Sequence, residues 1–306
     1  MSHILNNHQS KFSPETETKV LNALETLNYR PSMAGRSLVN GRSDVVVVVL
    51  PNATFGLRMQ DALNEIEAHA VELGVSVLTR FAGPVDRSTM EALHYVSPLA
   101  VMDMGGLTAH QRRELETAGT AVIPSSDRVT THERSDPDSI VGDVQVQALA
   151  RTKNRIAFAF LDDARIVGPF ARARSAAVTN ACLSRGLPIP EIIGVELTLE
   201  GASRALDPLL SEGPIGIACY NDDVATAVVA SAAALGRSVP GDVAVVGVDV
   251  TPLGQMLTPP LTSVQVNIPA AMDASIQELR RLLGKPLSDA VDPPVDYVHV
   301  HQGGTT

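Results

Sequence analysis

The chain is poor in the residues that anchor several classes of protein. It has no tryptophan, and aromatic residues make up only 3% of its 306 residues. Its two cysteines, Cys182 and Cys219, are too few for a disulfide framework, and each lies in an apolar pattern that predicts a buried free thiol. No apolar run approaches the roughly 20 residues of a membrane-spanning helix, and residues 1–12 do not resemble a signal peptide. We therefore expect a cytoplasmic protein that does not bind membranes.

Motifs of catalysis and of metal binding are also missing from the sequence. It contains no G-x-S-x-G, no H-E-x-x-H, no P-loop and no G-x-G-x-x-G after a strand. His299 and His301 alternate along a predicted strand without a cysteine or acid at ligand spacing. The adjacent acids Asp162-Asp163 and Asp222-Asp223 point in different directions, so solvent exposure or helix capping explains them better than paired catalysis. We expect neither an enzyme nor a bound cofactor or metal.

Charge is distributed unevenly along the chain. The net charge is −10, but the first 43 residues carry a net +2, which leaves −12 for the remainder. A basic arm on an acidic body has the sign expected of a short segment that faces nucleic acid.

The clearest structural pattern lies between residues 215 and 253. Apolar runs at Ile215–Tyr220 and Val243–Val248 have strand length, and a helical pattern that ends at Gly236 separates them. This strand–helix–strand unit predicts parallel strands covered on both faces. Ligands of such sheets bind beyond the carboxyl ends of the strands, where this sequence places Asn221, Asp222 and Asp249.

The same strand–helix alternation extends over most of the chain. Val45–Leu50 is an unbroken β-branched run, typical of a central parallel strand, and a helix is predicted over residues 57–73. Further alternation predicts one α/β lobe up to about Ser125 and a second from Arg155. Between them only residues 142–154 are predicted to form a joining helix.

The passage CYNDDVATAVVASAAALGRSVPGDVAVVGVDVTPLGQMLTPPLTSV resembles the core signature of the LacI/GalR transcriptional regulators. Its features are a strand ending in Asn-Asp, an "LG-x-x-VP-x-D-V" segment, a "VVG-x-D" strand and "PPLT-x-V". The resemblance implies two Rossmann-like lobes with parallel sheets, of the periplasmic-binding-protein-like type I fold, preceded by a partial helical headpiece and hinge. It implies the domains 1–44 (headpiece and hinge), 45–148 plus 268–292 (first lobe) and 149–267 plus 293–306 (second lobe).

The resemblance also implies an effector site between the lobes. Arg174, Asn221 and Asp249 match effector-contacting positions in the second lobe, and Phe55 and Arg58 fall in the corresponding loop of the first lobe. The scarcity of aromatics is unusual for a sugar cage, and Arg58 adds a cation, so both a sugar and a phosphorylated or acidic metabolite stay open as effectors. Helix capping by Asn221 or Asp222, and pairing of Arg174 with a surface acid, are the alternatives to ligand binding.

DNA-binding candidates lie in the first 44 residues. SHILNN matches the last turns of the family's recognition helix, which makes Ser2, His3 and Asn6 candidates for DNA contact. SMAGRSL matches the hinge helix of the family. There Arg36 is a candidate for a phosphate contact, and Leu38 is a candidate for the apolar wedge in the minor groove. Ser13-Pro14-Glu15 predicts the start of the next headpiece helix.

The family's first headpiece helix and turn, about twenty residues, do not precede SHILNN in this sequence. Either translation starts upstream, which the retained half favours, or direct major-groove reading has been lost. The resemblance therefore implies a homodimeric repressor that binds operator DNA under effector control. A cytosolic small-molecule binding protein that no longer reads DNA is the alternative.

Overall fold

The computed structural model describes residues 13–27, 43–51, 57–82, 86–125, 137–163, 169–287 and 298–306. The chain divides into two units, residues 1–44 and 45–306. In the first unit, helix α1 (Pro14–Thr26) begins where the sequence predicts it, and the Thr16 amide lies 3.4 Å from the Ser13 hydroxyl that caps it.

The second unit alternates strands and helices around two sheets. Its strands are β1 (Val45–Leu50), β2 (Ser76–Phe81), β3 (Ala100–Asp103), β4 (Ala121–Ile123), β5 (Ile156–Leu161), β6 (Glu191–Val195), β7 (Ile215–Cys219), β8 (Val243–Val248), β9 (Thr262–Val266) and β10 (Val298–His301). Its helices are α2 (Leu57–Leu73), α3 (Asp86–Val96), α4 (Ala109–Thr117), α5 (Pro137–Leu149), α6 (Pro169–Ser184), α7 (Leu199–Ser211), α8 (Asp222–Ala234), α9 (Pro252–Gln255) and α10 (Ile268–Leu282).

The first sheet has the strand order β2-β1-β3-β4, with every described pairing parallel. Residues 46–50 of β1 are buried on both faces because helices cover both sides of the sheet. One face packs against α2 and α10, and the other packs against α3 and α4. Edge strand β2 is different, since Leu78 and Phe81 are about half exposed.

The second sheet has the order β10-β9-β8-β7-β5-β6, and β10 runs antiparallel to β9. Helices α7 and α8 cover one face, and α5 and α6 cover the other. Helices α5 and α6 approach closely at Gly142, where an added Cβ would lie 2.6 Å from the Ala177 Cβ. The two sheets with their helices are the two α/β lobes that the sequence predicts.

At its carboxyl-terminal end the chain passes from the second sheet to the first lobe and back. Strand β9 leads into α10, which packs against α2 and β4 of the first lobe. Strand β10 then pairs with β9 and completes the second sheet.

One expectation about the helices was wrong, and one helix was missed. The joining helix is not restricted to residues 142–154, because α5 begins earlier, at Pro137, and ends at Leu149. It packs against α6 and against β7, β8, β9 and β10, so its contacts place it with the second sheet, whereas the predicted boundary at 148/149 put it in the first lobe. Helix α7 was not predicted at all. The remaining lobe boundaries stay predictions.

Candidate functional site

Two of the candidate residues follow the carboxyl ends of the neighbouring strands β7 and β8. Ala218 and Val246 are paired in the parallel register of these strands. Asn221 and Asp249 each lie three residues further on, so both follow the carboxyl ends of neighbouring parallel strands. We call Arg174, Asn221 and Asp249 the carboxyl-edge site.

Arg174 reaches this edge from helix α6. Its side chain is buried, its guanidinium donates a hydrogen bond to the Tyr220 carbonyl oxygen, and its carbon centre lies 4.8 Å from the centroid of the Tyr220 ring. The cation–π contact and the hydrogen bond both fix the guanidinium beside the end of β7. The structure therefore brings Arg174 to the residue that immediately precedes Asn221.

Asn221 has the capping role that the sequence left open. It is buried, it has extended backbone angles, and its Oδ1 accepts the Val224 amide hydrogen bond at 3.0 Å as the N-cap of α8. This bond orients the side chain and uses its carbonyl oxygen, so the amide nitrogen is the group that can donate to a ligand.

Asp249 occupies an unusual backbone conformation. Its φ is +107° and that of Val250 is +50°, although neither residue is glycine. A non-glycine residue in this region costs of order 1–3 kcal/mol, and such strain persists only where neighbouring groups enforce it. The Asp249 amide donates to the Val264 carbonyl oxygen at 2.9 Å, which ties the start of the turn to β9.

The group that holds the rest of this turn is Asp222, which the sequence assigned to solvent or to a helix cap. That interpretation was wrong, because Asp222 is 1% exposed and the N-cap of α8 is Asn221. Its Oδ2 accepts a hydrogen bond from the Thr251 amide at 2.6 Å, and its Oδ1 accepts one from the Ser263 hydroxyl at 2.6 Å. The Val250 amide in turn donates to the Ser263 oxygen at 3.0 Å.

Two glycines make room for the Asp222 carboxylate. A Cβ on Gly247 would lie 2.1 Å from its Oδ1, and a Cβ on Gly254 would lie 3.2 Å from its Oδ2. Burial in this space raises the pKa of Asp222, and the hydrogen bonds from Ser263 and Thr251 oppose that shift without cancelling it. No sequence motif signalled this arrangement, because its partners lie 29 and 41 residues away.

A second buried carboxylate stands at the carboxyl end of β3 in the first lobe. Oδ1 of Asp103 accepts the amides of Gly105, Gly106 and Leu107 at 2.9–3.1 Å. Its Oδ2 pairs with the Arg112 Nη1 atom at 2.5 Å, and the Asp103 side chain is only 4% exposed. Asp103 therefore shapes the loop at the carboxyl edge of the first sheet, and it was not among the sequence candidates.

The other sequence candidates cannot be placed in this geometry. Ser2, His3, Asn6, Arg36, Leu38 and Phe55 lie outside the described residues. Arg58 lies in the first turn of α2, but its side chain is outside the described part of the structure. These residues stay predictions.

A separate cavity of about 510 Å³ lies where the chain passes from β9 to α10. Its walls combine Asp61, Asn64 and Glu65 of α2 with Gln265 of β9 and His299 of β10. The three residues of the carboxyl-edge site do not line it.

Within the described residues, no three His, Cys, Asp or Glu side chains are grouped so that they could hold a metal ion. Cys182 and Cys219 are buried free thiols, as the sequence predicts, and burial raises the pKa of both. Among the described helices, none has the length and apolar character needed to cross a membrane.

Comparison with known proteins identifies the class of this fold. Residues 147–306 match the family model of the periplasmic binding protein-like domain, which is more than half of the chain. The chain therefore belongs to the periplasmic binding protein-like family.

The individual relatives confirm the resemblance to LacI-type regulators. The chain is 26% identical over 278 residues to the HTH-type transcriptional regulator DegA of Bacillus subtilis, and 25% identical over 278 residues to the HTH-type transcriptional repressor PurR of Vibrio campbellii. Both alignments cover 86% of this chain and 81% of the relative. The Lac repressor dimer bound to operator and the anti-inducer ONPF has the same fold, with a TM-score of 0.74 and 20% identity over 99% of this chain and 93% of the repressor chain.

Proposed function

We propose that this chain is a DNA-binding transcriptional regulator, a repressor whose affinity for operator DNA is controlled by a small molecule held between its two lobes. The observation that carries the proposal is similarity to regulators such as DegA and PurR along 86% of the chain rather than over one lobe alone. The relatives are regulators and not enzymes, and the proposal assigns no catalysis to this chain.

The effector site of the proposal is the carboxyl-edge site, completed from the first lobe by Phe55 and Arg58. A guanidinium, an amide nitrogen and a carboxylate can together bind the hydroxyls of a sugar, and the two cations can bind a phosphate. Arg174 is fixed by Tyr220 and Asn221 by its capping bond, so both donors are already oriented before a ligand arrives. A sugar phosphate satisfies all of these groups at once.

DNA binding is assigned to the first 44 residues, with Ser2, His3 and Asn6 at the major groove and Arg36 and Leu38 at the hinge. The regulator acts in the cytoplasm as a homodimer, because a pseudo-palindromic operator needs two such headpieces. Coupling between the two sites is reciprocal. An effector that weakens DNA binding must itself bind more weakly to the DNA-bound protein.

Binding to the protein's own genomic DNA tests the proposal. Fragments captured from the genome by the purified full-length protein would be labelled, and their affinity measured with and without glucose 6-phosphate. We expect this probe to change the affinity of the wild-type protein by about tenfold, equivalent to about 1.4 kcal/mol of coupling. A protein that captures no fragment above the level of unrelated DNA contradicts the proposal.

Two arginine variants separate the effector site from general effects on charge. Arg174→Lys keeps the charge but removes the planar hydrogen-bonding group next to Tyr220, so the response to glucose 6-phosphate should be lost. Arg172→Ala alters an exposed arginine two residues away on the same helix and should leave the response unchanged. Equal responses in the wild type and both variants would exclude Arg174 from the effector site.

A further inference from the structure

We propose that Asp222 is a positioning residue of the effector site: together with Ser263 it holds the turn Asp249–Thr251, with the positive φ angles of Asp249 and Val250, and so fixes the direction of the Asp249 side chain. The inference rests on the proposed function for the role of Asp249 as a ligand contact. It concerns a residue that does not itself contact the ligand.

The first step is the backbone of the turn. Asp249 and Val250 are consecutive non-glycine residues with positive φ, at +107° and +50°. Such a conformation persists only where the surroundings enforce it. The direction of the Asp249 side chain depends on this φ angle. The groups that hold the turn in this conformation therefore also determine the position of the Asp249 carboxylate.

The second step is the set of hydrogen bonds that enforces the turn. The amides of Val250 and Thr251 point to a connected pair of acceptors, the Ser263 hydroxyl oxygen at 3.0 Å and the Asp222 Oδ2 at 2.6 Å. The Ser263 hydroxyl donates a hydrogen bond to the Asp222 Oδ1 at 2.6 Å. The buried Asp222 carboxylate therefore accepts the hydrogen bond of the Thr251 amide directly and orients the Ser263 hydroxyl that accepts the hydrogen bond of the Val250 amide.

The third step is the space that the protein keeps for this carboxylate. Gly247 and Gly254 lie against its two oxygens, and an added Cβ at Gly247 would overlap the Oδ1 atom. Asp222 and Ser263 are both buried, so water cannot replace the hydrogen bonds without entering the core. The turn is therefore built from three separate chain segments, around residues 222, 250 and 263.

The inference separates the roles of three adjacent residues. Asn221 caps α8 and is assigned to the effector site by the proposed function, whereas Asp222 is buried and accepts the hydrogen bonds that hold the turn after β8. Asp223 is assigned neither role. Asp223 is therefore a matched control, because it is the same residue type in the same helical turn and is less buried than Asp222.

Hydrogen–deuterium exchange of the full chain tests the inference without a ligand. Ser263→Ala and Asp222→Ala should accelerate exchange in a peptide covering residues 249–255 by roughly ten- to hundredfold, the loss expected for hydrogen bonds to or through a charged group. Peptides from β5 and β7 should exchange as in the wild type. Asp222→Asn keeps one acceptor oxygen and should restore part of the protection, and Asp223→Asn should have no effect.

Two outcomes overturn the inference. Unchanged exchange at residues 249–255 in both Ser263→Ala and Asp222→Ala would show that the turn does not depend on Asp222. Equal acceleration in the β5 and β7 peptides would show that the residue only stabilises the whole lobe. Should Asp222→Ala fail to fold, Ser263→Ala decides the result, because it removes only one hydroxyl.

Calorimetric titration with glucose 6-phosphate links the turn to the site. Ser263→Ala should weaken binding by about tenfold relative to wild type, and Asp223→Asn should bind as the wild type does. Wild-type affinity retained in Ser263→Ala, with the turn loosened, would show that the turn does not position the ligand contact. Absence of binding by the wild type would count against the proposed ligand class, while the exchange result would still decide whether Asp222 holds the turn.

Discussion

Replacing Asp103 by alanine should destabilise the first lobe strongly, because one carboxylate satisfies four donors there. Asp103→Ala removes the acceptor of the amides of Gly105, Gly106 and Leu107 and the partner of Arg112. Each hydrogen bond to a charged group contributes about 1.5–3 kcal/mol, but the contributions do not add, since water can reach part of the loop.

The larger effect on stability comes from Arg112, which would lose its ion-pair partner while its side chain is only 13% exposed. Removing one partner of a buried ion pair leaves an uncompensated charge, which costs about 3–5 kcal/mol. We take this range as the expected loss in the free energy of unfolding. For a unit of this size it corresponds to a fall in the melting temperature of roughly 6–20 °C.

Urea unfolding followed by circular dichroism measures this loss, with an unchanged m-value as the condition for comparison. Asp162→Ala is the matched control, because Asp162 also follows a parallel strand but is exposed, so it should lose less than about 1 kcal/mol. The double variant Asp103→Ala/Arg112→Met should be more stable than Asp103→Ala alone, since no unpaired charge remains. A loss for Asp103→Ala no greater than that of the control would refute the reasoning.

Three further predictions follow from the described contacts. Because burial raises the pKa of Asp222 in the folded protein, the contribution of Asp222 to stability grows as the pH falls towards the pKa of this group in the unfolded chain. Asp222→Asn should therefore lose more stability near about pH 4 than at about pH 7 in paired urea titrations. Gly142→Ala should destabilise by about 1–3 kcal/mol in thermal unfolding, because its Cβ would overlap Ala177. Cys182 and Cys219 should resist iodoacetamide at neutral pH until the protein is unfolded, as followed by mass spectrometry.

The fold could be predicted from the sequence where a strand is buried on both faces of its sheet, because such a strand consists almost entirely of apolar residues. The runs Val45–Leu50 and Val243–Val248 are strands with the expected bounds. The helix over residues 57–73 is also confirmed, and its end could be predicted because a glycine follows the pattern. Helix α7 was missed because Pro208 lies inside it and Gly201 in its first turn, although its Thr198 cap and apolar face were available signals.

The site could be predicted only in part, for a different physical reason. The strand ends themselves indicate Asn221 and Asp249, but the approach of Arg174 to Tyr220 depends on tertiary packing and entered only through the family resemblance. Asp222 was misinterpreted because its neighbours in sequence suggest a cap, whereas its partners come from other segments. Asp103 had a local signal, since an aspartate followed two residues later by Gly-Gly favours a turn closed by the side chain.

The salt dependence of DNA binding tests the central claim most directly. The affinity of the full-length protein for its captured genomic fragment would be measured by fluorescence anisotropy between about 50 and 200 mM salt. A regulator with a headpiece on DNA predicts a linear fall of the logarithm of the binding constant with the logarithm of salt concentration, with a slope of about 0.9 for each phosphate neutralised. A slope near zero, or the same affinity for unrelated DNA, would contradict the assignment.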